Sequence, residues 1–82
     1  MFLSLTKFAT LAIRDYNSQN QTDYQFVDIE MVTWYMVNGI IYQITFQARN
    51  ADKEYGTFET DVLKKQNFRK VKRIGMKGSS TW

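Results

Sequence analysis

The fold is decided by one stretch of the sequence, Val37-Asn38-Gly39-Ile40-Ile41-Tyr42-Gln43-Ile44-Thr45-Phe46-Gln47-Ala48. Apolar side chains stand at every second position from Ile40 to Ala48 and alternate with polar ones, apart from Ile41. This period of two is typical of a strand with one buried face. Asn38-Gly39 is a strong signal for a two-residue hairpin in which both turn residues have positive φ. We therefore predict two antiparallel neighbouring strands that meet at this dipeptide.

A helix is predicted before the first strand, over residues 5–17. Its apolar side chains recur in steps of three and one, which places them on one side of a helix; they are Leu5, Phe8, Ala9, Ala12, Ile13 and Tyr16. A helix of ~13 residues is ~20 Å long. A strand of ~7 residues spans ~23 Å. One such helix can therefore cover one face of a sheet.

The remaining strands are predicted from the same period of two. Apolar Val27, Ile29 and Met31 alternate with acidic residues, and residues 58–62 alternate in the same way. A less regular strand is predicted over residues 68–76, and residues 50–54 form a turn candidate. The predicted fold class is α+β: one N-terminal helix packed across a four-stranded antiparallel sheet. We expect one domain over residues 1–82, with a loose tail at about 77–82 that contains Trp82.

The composition excludes most kinds of catalytic site. The chain has no Cys, His or Pro. It therefore has no disulfide, no thiol nucleophile, no imidazole base and none of the usual ligands of zinc, haem or iron–sulfur clusters. Glu59 and Asp61 share a predicted strand face, but a solvated sheet face explains them better than a catalytic pair. We expect no cofactor, no metal and no enzymatic activity.

Positive charge is concentrated near the C-terminus. Residues 64–82 contain seven of the eleven Lys and Arg residues and no acidic residue. This run is interpreted as a solvated edge strand, because Phe68, Val71 and Ile74 interrupt it. A patch over residues 64–73 that binds nucleic acid or an anionic surface is the weaker alternative. We therefore do not expect a nucleic-acid partner. No stretch approaches the ~18 apolar residues of a membrane span. Since no signal segment is visible, a cytoplasmic location and secretion after removal of a signal peptide both stay open.

Four segments of the chain follow the sequence patterns of one known protein family. Residues 8–17, Phe-Ala-Thr-Leu-Ala-Ile-Arg-Asp-Tyr-Asn, resemble the helix pattern L-A-x-F-A-V-x-E-Y-N. Residues 24–27 resemble the strand that follows this helix, residues 39–48 resemble G-T-L-Y-Y-I-T-L-E-A, and residues 58–62 resemble Y-E-A-K-V. Together the four segments resemble the cystatin family over roughly residues 8–74. They fit best the plant branch of the family, which lacks disulfides.

The resemblance implies a reversible, non-covalent inhibitor of papain-like cysteine proteases. Such inhibitors form a wedge from an N-terminal segment with a Gly, a first hairpin Q-x-V-x-G and a second hairpin with Pro-Trp. The first hairpin corresponds here to Trp34, Tyr35, Met36, Val37, Asn38 and Gly39. The N-terminal segment corresponds to Phe2, Leu3 and Ser4, and the second hairpin to Lys64, Lys65, Gln66 and Asn67.

The sequence also departs from the family pattern in the wedge. Val37 and Gly39 match the first-hairpin motif, but Tyr35 replaces its Gln. The N-terminal Gly and the Pro-Trp pair have no counterpart. The alternative is therefore a cystatin-like interaction module without inhibitory activity. Residues 34–36 either form an exposed binding edge or pack against the helix, and both interpretations stay open.

An exchange of segments between two copies is also predicted. A tight turn between two long strands is a natural hinge for domain swapping. If the turn at Asn38-Gly39 opens, residues 1–37 can pair with a second chain. We therefore expect a monomer that can convert into a domain-swapped dimer.

Overall fold

The computed structural model describes residues 2–77, and within them the predicted α+β architecture is confirmed. The elements are α1 (Phe2–Asn20), β1 (Gln25–Val37), β2 (Gly39–Arg49), β3 (Tyr55–Lys65) and β4 (Phe68–Met76). The strands form one antiparallel sheet in the order β1-β2-β3-β4. Of the predicted tail, Lys77 donates a backbone hydrogen bond to the Thr57 carbonyl at 2.7 Å and so belongs to the fold. Residues 78–82, including Trp82, lie outside the described residues.

Helix α1 is longer at both ends than the predicted span of 5–17. The polar residues after Asn17 do not end the helix at the predicted position but extend it by about one turn, to Asn20. The Asn20 side chain donates to the Tyr16 carbonyl at 2.9 Å. Gln21 then takes a left-handed conformation with φ of 57°, as the residue after a helix commonly does.

The core lies between the apolar stripe of α1 and the even-numbered face of β2. Its buried side chains are Phe8, Ala9, Ala12 and Ile13 from the helix, and Ile44, Phe46, Ala48, Phe58 and Val62 from the sheet. Phe58 is the centre of an aromatic cluster, with ring centroids 5.0 Å from Tyr16, 4.9 Å from Tyr24 and 5.7 Å from Phe46. The fully buried alanines allow the helix to approach the sheet closely, because they have no side chain beyond Cβ.

The predicted alternation in β1 is wrong. Val27 and Met31 are 44% and 60% exposed, and only Ile29 of the predicted apolar face packs on the core. Two register shifts, between Phe26 and Asp28 and between Ile29 and Met31, cause the difference. Each shift adds a residue to the strand and reverses the faces of the residues that follow it. The core side chains of β1 are therefore Phe26, Ile29 and Val32.

The first hairpin is confirmed, but its turn is tighter than predicted. Val37 pairs with Gly39, so Asn38 alone connects the two strands. Of the two predicted turn residues only Gly39 has a positive φ, at 121°. The two-residue turn with positive φ at both positions is therefore wrong.

Candidate functional site

The two hairpin tips lie side by side at one end of the sheet. A Cβ placed on Gly39 would lie 2.9 Å from the Lys64 carbonyl oxygen and 3.2 Å from the Lys65 Cβ. The β1–β2 tip therefore touches the end of β3, which leads directly into the β3–β4 turn at Gln66 and Asn67. The register thus brings together the two predicted hairpin segments, which are distant in sequence.

Helix α1 begins near the same end of the sheet. The Phe8 ring lies 5.4 Å from the ring of Tyr42, which pairs with Trp34. The later Tyr16 instead contacts Phe58, further from the tips. The third predicted segment, residues 2–4, forms the first turn of α1 rather than an extended arm.

The residues of the first hairpin are open to solvent. Trp34 is 59% exposed, Tyr35 45%, Met36 73% and Val37 52%. They are not among the side chains that pack on the core, because β1 continues past Val32, its last side chain against the core. Residues 34–36 are thus exposed, and their role as a binding edge stays a prediction.

The exposed side chains occupy both faces of the hairpin. Trp34 and Met36 lie on the helix side of the sheet, and Tyr35 and Val37 lie on the opposite side, since neighbouring residues in a strand alternate. An exposed apolar tip of this kind is unusual unless it meets a partner. The tip therefore has the shape of a thin wedge with apolar side chains on both of its surfaces.

The second tip is polar and cationic. Lys65, Gln66 and Asn67 are exposed, and the Lys64 ammonium donates to the Gln66 carbonyl at 3.4 Å. Gln66 has φ of 53°, a left-handed conformation that turns the chain back into β4. This tip offers hydrogen-bond donors to a partner, and the large apolar side chain next to it is Phe68, which pairs with Lys65 and is 51% exposed.

The carboxylates of the sheet do not form a catalytic or metal-binding cluster. Asp61 pairs with Arg73, whose Nε lies 3.3 Å from Oδ2, and Glu59 lies on the same face of β3. Over residues 2–77, no group of three or more acidic side chains is arranged to hold a metal ion. Within the same residues, the one helix has no apolar stretch long enough to span a membrane.

An apolar group that the alternation pattern does not predict lies on the face of the sheet that α1 does not cover. Ile41, the exception to the alternation of β2, is only 5% exposed. The register places it between Tyr35 of β1 and Leu63 of β3, in one row across the sheet. The isolated Ile41 in a polar face was a signal for this group, but its neighbours follow only from the register.

The arrangement of the helix, the four strands and the two tips agrees with a family comparison. The family described as Cystatin domain matches residues 3–78 of the chain. The chain belongs to the cystatin family. A comparison with curated proteins finds no match. The order of elements in this cystatin domain is thus supported by sequence and structure together.

Proposed function

We propose that this cystatin domain is a reversible, non-covalent inhibitor of papain-like cysteine proteases, and that the tip of its β1–β2 hairpin enters the active-site cleft. The observation that carries the proposal is the exposed apolar tip around Val37, held against the end of β3 by Gly39. Val37 and Gly39 are also the two residues that match the first-hairpin motif of the family.

A preformed tip supports binding by a simple physical argument. The turn is fixed by strand pairing on both sides, so little conformational entropy is lost when it enters a cleft. Burial of each large apolar side chain contributes about 1.5–3 kcal/mol before the cost of association. No group of the inhibitor needs to react, which agrees with a chain that has neither Cys nor His.

Two features of the site favour weak inhibition. Tyr35 stands where the family motif has Gln, and the second tip has polar residues where the family has Pro-Trp. Residues 64–67 therefore add little apolar area to the interface beyond that of the neighbouring Phe68. We expect inhibition in the micromolar range rather than the tight binding of a complete wedge.

Val37→Asp tests the proposal in a papain assay with a fluorogenic substrate. The change should raise the inhibition constant at least about tenfold, because it places an unpaired charge in an apolar contact. Val27→Asp is the matched control: Val27 lies on the same strand, is 44% exposed and is far from the tips. It should leave the inhibition constant unchanged.

Two results would contradict the proposal. If the chain does not inhibit papain at high micromolar concentration, a non-inhibitory interaction module becomes the better assignment. If both aspartate variants inhibit as well as the unmodified chain, the contact with the protease does not involve the β1–β2 tip.

We also propose that two copies can exchange α1 and β1 through the β1–β2 turn. The connection consists of Asn38 alone between paired strands. Opening it would replace a one-residue turn with a continuous strand, and the β1–β2 pairs would form again with the second copy.

A further inference from the structure

A groove lies on the face of the sheet away from α1, next to the two hairpin tips. Its volume is about 620 Å³, within the range of ligand-binding clefts. Ile41 and Leu63 form its floor, and its walls include Tyr35, Phe68, Lys65 and Lys72. We call this feature the tip groove.

The strand register explains why the tip groove exists. Tyr35, Ile41, Leu63 and Lys70 form one row across the four strands. In the next row Gly39 stands beside Lys65, and a Cβ on Gly39 would lie 3.2 Å from the Lys65 Cβ and 3.3 Å from Leu63 Cδ1. The larger side chains of Tyr35 and Phe68 border these rows and form sides of the groove above its aliphatic floor.

The tip groove carries positive charge that takes part in no ion pair with the described residues. Lys65 and Lys72 line it, and no carboxylate is among the lining residues. Over residues 2–77, the one ion pair joins Arg73 to Asp61. Residues 64–77 contain seven basic residues and no acidic one. The apolar floor and the cationic wall of the tip groove together favour an occupant that has both an apolar side chain and carboxylates.

We propose that the tip groove binds an acidic peptide segment of a partner protein. One apolar side chain of the segment packs on Ile41 and Leu63, and flanking carboxylates pair with Lys65 and Lys72. Such an apolar anchor with a charged rim is the usual anatomy of a protein interface. The proposal does not require that the chain inhibits a protease.

The distribution of the basic residues favours a peptide over a nucleic acid. Arg69 lies on the helix side, with its guanidinium 6.0 Å from the Phe8 ring centroid, and Arg73 is engaged by Asp61. The cations of β4 are therefore divided between the two faces of the sheet. A nucleic acid is instead bound by a continuous stripe of cations that follows its phosphates.

The test is fluorescence anisotropy with a labelled hexapeptide that has two glutamates on each side of a central leucine-phenylalanine pair. We expect saturable binding by the free chain, with amide shifts in NMR spectra at Ile41, Leu63 and Phe68. A peptide with lysines in place of the glutamates should not bind, and one with alanines at the centre should bind at least about fivefold more weakly.

Two variants with matched controls locate the site. Lys72→Glu and Phe68→Ala should each weaken binding about five- to tenfold, because they remove the charge and the aromatic wall. Lys7→Glu makes the same charge change on the exposed side of α1, and Tyr55→Ala removes an aromatic of similar exposure at the far end of the sheet. Both controls should leave the affinity unchanged.

The proposal is overturned by any of four results. These are equal binding by Lys72→Glu and Lys7→Glu, equal binding of the lysine peptide, tighter binding of single-stranded DNA with a steep salt dependence, or a self-associated dimer that occupies the groove. A chain that binds the peptide but does not inhibit papain contradicts only the protease proposal. A chain that inhibits papain but does not bind the peptide contradicts only this one.

Discussion

Gly39 is constrained by its backbone and by its surroundings at the same time. Its φ of 121° is rarely adopted by residues with a side chain, and a Cβ would meet the Lys64 carbonyl oxygen at 2.9 Å. We expect Gly39→Ala to lower the free energy of unfolding by about 1–3 kcal/mol, since the backbone or the neighbouring strand must move. Urea denaturation measures the loss.

Gly75 provides the control for this prediction. It lies in β4, has no positive φ, and a Cβ at this position would have no atom within 4 Å. Gly75→Ala should be neutral or stabilising by up to about 1 kcal/mol, because alanine restricts the unfolded chain. Equal effects of the two alanine changes would show that neither the turn nor the contact with Lys64 constrains Gly39.

Asn17 joins the helix to the sheet through its side chain. Its Nδ2 donates to the Tyr24 carbonyl at 2.8 Å, and its Oδ1 accepts from the Tyr24 amide at 2.9 Å and from the Thr22 hydroxyl at 2.8 Å. These bonds fix the short connection between α1 and β1. Asn17→Ala should therefore lower the free energy of unfolding by about 1–3 kcal/mol, since partly buried backbone groups lose their partners.

Asn20 is a matched control for Asn17 in the last turn of the same helix. Its side chain is exposed and makes one hydrogen bond, to the Tyr16 carbonyl. Asn20→Ala should change the free energy of unfolding by no more than about 0.5 kcal/mol. If the two alanine variants unfold at the same urea concentration, the side chain of Asn17 does not hold the connection.

The elements were largely predictable from the sequence because their patterns are local. The alternation of β2 gave the strand and its buried face, and Ile44, Phe46 and Ala48 are buried as that pattern requires. The spacing from Leu5 to Tyr16 likewise gave the helix. Its ends were less predictable, because Ser18 to Asn20 are compatible with a helix as well as with a loop.

The irregular features were not predictable, because they depend on pairing between distant residues. The two register shifts of β1 expose Val27 and Met31, although the sequence there alternates regularly. In the same way, Ile41 is buried by Tyr35 and Leu63 only because the register places them next to it. The candidate residues of the tip were therefore identified, whereas the groove beside them was not.

At the scale of the whole molecule, the charge is separated between regions of the sheet. Acidic side chains are found in β1, in the turn before β3 and in the middle of β3 at Glu59 and Asp61, whereas the charged residues at the end of β3 and in β4 are all basic. β4 is an edge strand, and its Lys and Arg side chains disfavour pairing with the same edge of another copy. Self-association should therefore proceed by exchange of segments rather than by addition of strands at this edge.

The single-residue connection at Asn38 predicts how this exchange responds to a longer turn. Short, strained hinges favour swapping, because the extended form relieves the turn. After heating and cooling at high concentration, the unmodified chain should give a dimer peak in size-exclusion chromatography. Two glycines inserted after Asn38 should reduce that peak, whereas the same insertion after Asp52, in the turn between β2 and β3, should not.

The exchange of segments between two copies should also affect the proposed inhibition. In an exchanged dimer, residues 37–39 are part of a continuous strand, so the tip that presents Val37 no longer exists. We therefore expect the isolated dimer to have lost inhibition of papain while the monomer from the same column retains it. A chain that stays monomeric at every concentration, or a dimer that inhibits as well as the monomer, would contradict exchange through this turn, because an intact hairpin is then present in every copy.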